Sequence, residues 1–139
     1  MARLYPSAMD RRLFLSLMAS FPVAPQLSAP PPRVRTVATI SLPAPYDKQT
    51  ATLVELYLPP GVPSSAPHQH PGFVLGYVIE GEFRFQVAGE PERTLRAGDT
   101  FYEAPGARHL VSASASADRP ARVLAIVIAE SGRAIAEPL

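Results

Sequence analysis

Three histidines are the chain's whole stock, and they stand at His68, His70 and His109. The first two form His-Gln-His between Pro67 and Pro71, and the third ends the run Ala-Pro-Gly-Ala-Arg-His over 104–109. In extended backbone, residues two apart point to the same side, so His68 and His70 can aim two imidazoles at one point. A third imidazole from a distant strand completes a facial set of three nitrogens, leaving positions open for water, oxygen or substrate. Three imidazoles buried without partners are costly. A shared metal ion is the economical occupant, with His68, His70 and His109 as its ligands.

Other chemistries find little support. The 139-residue chain has no cysteine, which removes disulfides, thiolate metal sites, a cysteine nucleophile and a lipoprotein anchor. It carries no glycine-rich phosphate loop and no paired-carboxylate site, and Ser112, Ser114 and Ser116 alternate with alanine without a partner base. The net charge is +1, and from Pro30 onward ten Lys/Arg stand against eleven Asp/Glu, so no nucleic-acid surface is expected. With 47% hydrophobic and 18% charged residues the chain reads as one water-soluble globular domain. At this size folding hides roughly two-thirds of the unfolded chain's surface.

The elements that must hold these groups read as strands. Segments 33–41, 51–58, 72–80, 82–88, 93–95, 100–103, 109–114 and 121–129 are rich in Val, Ile, Leu, Thr and aromatic residues between Gly- and Pro-containing turns. Gly81 is read as the turn of a hairpin joining 72–80 to 82–88. In the second arm Phe83, Phe85 and Val87 alternate with Glu82, Arg84 and Gln86, giving one buried and one wetter face. About eight short strands, with no ten-residue amphipathic helix among them, predict an all-β antiparallel sandwich or barrel. In the last strand Leu124, Ile126 and Ile128 line one face and Val123, Ala125 and Val127 the other. A strand apolar on both faces must be covered twice, its outer face by a second sheet or a partner subunit, and a homodimer is the expectation.

The amino terminus differs in texture. Asp10-Arg-Arg-Leu-Phe-Leu15 precedes a short apolar run to Val23, which Pro22 interrupts. The run resembles a twin-arginine export leader, with Asp10 where Ser or Thr is usual and Ser16 where Lys is common. Residues 1–29 are therefore read as an export signal peptide and 30–33 as a proline-rich linker. The alternative is a loosely packed tail on a cytoplasmic protein. The start is open between Met1 and Met9, and the apolar run is too short for a stable membrane anchor.

Taken together, the motifs resemble those of a small single-domain cupin. The family's first motif runs from a glycine through His-X-His to a glutamate and a closing glycine; Gly61, His68, His70 and Gly81 fill those places. Its second runs from a glycine through Pro-X-Gly to a histidine; Gly98, Gly106 and His109 match, with Pro105 beside the proline's place and Ala113 where an asparagine is common. The resemblance implies an antiparallel double-stranded β-helix, a jelly-roll barrel, over 34–130, followed by a C-terminal tail at 131–139. One departure bears on chemistry. The motif's glutamate falls at 74 or 75, and those residues are Val74 and Leu75. A site of three neutral imidazoles leaves a divalent ion its full charge, which favours anionic ligands.

Glu55 and Glu103 lie on strands and are the candidates to replace the missing carboxylate. As charged strand residues they are expected on the solvated face or against arginine, so no substitute ligand is assigned. Glu80 and Glu82 are expected in solvent, and Arg108 is expected outward because its neighbour His109 points inward. Tyr77 and Tyr102 read as pocket, core or interface residues, and Phe73 and Val74 as an apolar pocket mouth. Within the family, three-histidine centres resemble those of thiol and diketone dioxygenases. The resemblance thus implies a metal-dependent, dioxygenase-like enzyme acting on a small organic molecule, with Fe2+ or Mn2+ favoured and Zn2+, Ni2+ or Cu2+ also compatible. A zinc-promoted hydrolase or isomerase is a weaker variant. The alternative from another class is a non-catalytic metal or small-ligand binding module.

Overall fold

Ten strands in two five-stranded antiparallel sheets make up the computed structural model, which describes residues 30–139. The leader expected over 1–29, with Arg11 and Arg12, lies outside the described residues. One sheet orders β1 (Arg33–Ser41), β2 (Gln49–Leu58), β9 (Ala121–Glu130), β4 (Phe73–Glu80) and β7 (Thr100–Glu103). The other orders β10 (Glu137–Pro138), β3 (His68–Gln69), β8 (Arg108–Ser114), β5 (Glu82–Val87) and β6 (Arg93–Arg96). The result is the all-β antiparallel architecture that the strand pattern predicts, in the jelly-roll form that the resemblance implies.

Alternation decides which side chains meet between the sheets. Val54 and Leu58 of β2, Val123 and Val127 of β9, and Val74 and Val78 of β4 form one wall of the core. Phe83, Phe85 and Val87 form the other, on the face that their spacing predicts. Phe101 of β7 joins Phe83 and Phe85, with ring centroids 5.5 and 4.7 Å away. The far end of its ring lies against Gly76, its cross-strand partner, where a Cβ would come within 2.0 Å of it.

The expected hairpin at Gly81 does not form. β4 pairs with β7 and β9, while β5 pairs with β6 and β8, so Gly81 is a corner where the chain passes from one sheet to the other. Its φ of +77° and the Pro120 carbonyl, 2.2 Å from where a Cβ would stand, restrict the corner to glycine. A single linking residue is too short for the two-residue loops that join hairpin arms.

Candidate metal centre

Two short strands bring the imidazoles together. β3 pairs with β8 so that His68 faces His109 directly across the ladder, and His70 follows one residue beyond β3. The Gly106 N–H donates to the His70 carbonyl at 2.9 Å, which ties the first histidine segment to the turn before the third. The ring centroid of His68 lies 5.0 Å from that of His70 and 5.0 Å from that of His109. One nitrogen from each ring lies within 4.8 Å of the others. Neighbouring donors bonded to one ion at about 2.0–2.2 Å stand roughly 2.8–3.6 Å apart, so the cluster closes by about 1 Å when it takes a metal.

Each ring also has its second nitrogen fixed by the backbone. A carbonyl can only accept, so His68 Nδ1–H donates to Ala66 at 3.0 Å, His109 Nε2–H donates to Val111 at 2.8 Å, and His70 Nδ1–H donates to Ile135. These bonds set the tautomers and leave His68 Nε2, His70 Nε2 and His109 Nδ1 as lone pairs. Metal-binding histidines are oriented by this kind of outer hydrogen bond.

Glu103 corrects an expectation. It is not on the solvated face but 2% exposed, because alternation along β7 turns Phe101 and Glu103 inward and Thr100 and Tyr102 outward. Its Oε1 lies 3.3 Å from His109 Nδ1 and its Oε2 3.9 Å from His70 Nε2. With the His109 Nε2–H committed to Val111, Oε1 and Nδ1 are two acceptors face to face. Glu103 Oε2 and His109 Nδ1 are buried without a hydrogen-bond partner. Such an arrangement asks for a proton or a cation between its members. Burial pushes the Glu103 carboxyl up to about 7. It pushes His109 down to about 4, with the charges of His68 and His70 adding to the effect and the Val111 bond opposing it; His70 is lowered too, chiefly by burial. Without an ion Glu103, His70 and His109 are therefore each pushed toward the neutral form. Neutral imidazoles and a carboxylate that gives up its proton to a cation are the donor set a divalent metal takes.

Around the cluster is a cavity of about 210 Å³, walled by Val54, Leu56, Leu58, Val74, Phe83 and Val123. Ser112 adds a buried hydroxyl without a partner. Ile135 and Ala136 line the cavity from the segment leading into β10, which pairs with β3. Val74 thus faces the site as expected, but its neighbour Phe73 does not line the cavity; it packs 6.2 Å from Tyr102. Tyr77 and Tyr102 are exposed on the outer face of their sheet. Arg108 is exposed, and Glu55 pairs with Arg35 and Arg122, both as expected.

The family model described as a cupin domain matches residues 54–127, 74 of the 139 residues. The chain is a cupin. No curated protein matches it. Among solved structures it is similar to a cupin-like protein from Thermotoga maritima at 26% identity and TM-score 0.55, over 64% of each chain. It is similar at the same identity and TM-score to the DMSP lyase DddQ from Ruegeria pomeroyi, over 63% of this chain and 42% of that one. A third is the Cupin_2 domain of an XRE family transcriptional regulator from Enterobacter cloacae, at 25% identity and TM-score 0.52, over 70% and 95%. The cupin therefore spans less than two thirds of the first two chains' own lengths. Within the first motif, Leu75 is 46% exposed and Val74 is buried. Of the two positions at which the resemblance sets the motif's glutamate, 74 is accordingly the inward one.

Proposed function

We propose that this cupin is a metal-dependent enzyme of the dioxygenase-like kind, acting on a small, predominantly apolar organic molecule. The observation that carries the reading is the set of three imidazoles, each with one N–H held by a backbone carbonyl and the other nitrogen turned to a common point. His68, His70 and His109 would hold the ion, Fe2+ or Mn2+ for preference. When bound, the metal supplies a Lewis-acidic site that can activate oxygen or polarise a substrate oxygen. The chain's own residues orient the ligand nitrogens, and Val74, Leu58 and Phe83 keep water from the cavity. Ser112 is left as a lone hydroxyl to orient one polar group of the substrate. Similarity to the DMSP lyase supports an enzyme. Similarity to the regulator's domain favours a second reading, a binding module without catalysis.

The test is the metal content of untagged protein, wild type against the His68→Ala/His70→Ala double variant. Stoichiometric iron or manganese that is lost in the variant supports the enzyme. Metal-free wild-type protein that cannot be reloaded sinks the metal reading. For the whole chain we further propose a homodimer, and export by the twin-arginine route through Arg11 and Arg12. Replacing both arginines with lysine should leave the precursor in the cytoplasm; unchanged export contradicts the route.

A further inference from the structure

We propose that Glu103 is a metal ligand, supplying from β7 the carboxylate that other cupins carry on the neighbouring strand at the place occupied here by Val74. The inference rests on the metal reading above and deepens it.

Register makes the exchange physically natural. Val74 and Glu103 are direct cross-strand partners in the β4–β7 ladder, and both side chains face inward. Directly opposed residues of antiparallel strands have Cβ atoms about 4.5–5.5 Å apart on the same face. A glutamate side chain is long enough to cover that offset, so a carboxylate rooted at 103 reaches the region that one rooted at 74 would serve. Losing the glutamate at 74 therefore need not empty the position it filled.

The surroundings of Glu103 point the same way. Among the described residues, Glu55, Glu82, Glu92 and Glu137 each form an ion pair with arginine. Among the described residues Glu103 has only His70 and His109 within ion-pair distance, and both are neutral if they bind metal. A buried carboxylate with no cationic side chain is strongly disfavoured. A divalent ion held between Glu103 and the three imidazoles satisfies the carboxylate and His109 Nδ1 together. Neighbouring donors on one ion stand roughly 2.8–3.6 Å apart; the separation of 3.3 Å fits that spacing and the one of 3.9 Å has only to close slightly.

The consequence for chemistry is a change in the charge of the centre. Three imidazoles leave a divalent ion at +2, whereas an added carboxylate leaves +1. The reduced charge weakens the pull on anionic ligands and suits a cavity whose walls are almost entirely apolar.

Titration of the metal-stripped full-length chain with Co2+, followed by visible absorption, tests the assignment. Wild type should bind one Co2+, and Glu103→Gln should bind it about tenfold or more weakly with an altered ligand-field spectrum. Glu103→Val should weaken binding likewise, and the exchange variant Val74→Glu/Glu103→Val should recover most of the lost affinity. Wild-type affinity and spectrum in Glu103→Gln, with binding abolished in His68→Ala/His70→Ala, would overturn the role of Glu103 and leave the histidine site standing. No Co2+ binding by wild type overturns both. A folded exchange variant that binds no better than Glu103→Val refutes the interchange of the two positions.

Discussion

Glu103 and His109 confront each other at 3.3 Å as two acceptors once the His109 Nε2–H is given to Val111. In metal-free protein this contact is eased by keeping a proton on Glu103, whose carboxyl burial raises to about 7. The linkage has a definite sign. Between the ordinary glutamate value near 4.5 and about 7, the folded state binds more protons than the unfolded state, so this group costs stability as pH rises. Glu103→Gln removes that cost and keeps the shape. After chelator treatment, the stability of Glu103→Gln relative to wild type should grow by about 3 kcal/mol between pH 4.5 and pH 8. Urea denaturation at several pH values measures it, and a difference independent of pH would contradict it. The opposing contribution of His109 is common to both proteins and largely cancels. The histidines were readable from sequence because the chain holds three, all at motif positions. Glu103 was not, because Phe101 and Tyr102 put an aromatic on each face of β7 and left its parity undecided.

Eight of the ten strands could be read from apolar runs because each has enough residues to show alternation. β3 and β10 could not, since two residues have no period; β3 is set by its pairing with β8 and β10 by its pairing with β3, where Pro138 faces His68 and Glu137 faces Gln69. The corner at Gly81 misled for a related reason. Glycine between two apolar runs signals a turn, but which sheet receives the second run depends on long-range pairing. The small elements nevertheless carry a large share of the site. Ile135 offers its carbonyl to His70 Nδ1, and Ile135 and Ala136 wall the cavity. Deleting residues 134–139 should free the His70 ring to turn and admit water, lowering Co2+ affinity about 10- to 100-fold. The melting temperature of metal-free protein should change little, because most of the core lies in the longer strands. Unchanged Co2+ affinity in the truncated chain would show that the Ile135 carbonyl does not position the ligand.

The outer face of the sheet containing β4, β7 and β9 argues for a second copy of the chain. Leu75, Tyr77, Ile79 and Tyr102 are 46, 47, 38 and 55% exposed, and Leu124, Ile126 and Ile128 continue the face along β9 as partly covered residues. Monomeric proteins seldom present so continuous an apolar surface to water. Along its margin Arg122 reaches both Glu55 and Glu80, a satisfied polar border of the kind that rims an interface. The inward row Ala121, Val123, Ala125 and Val127 is already buried within the barrel, so only the outward row of β9 lacks a cover. A twofold arrangement places the same patch against itself and closes without leaving a free face. Multi-angle light scattering should therefore give a dimer at micromolar concentration. Leu75→Glu with Tyr102→Glu should shift it to a monomer that still binds Co2+, because these side chains point away from the cavity. A wild-type monomer would rule out this use of the face. A dimer untouched by the paired substitution would move the interface elsewhere, with the exposed edge of β1 next to be tested.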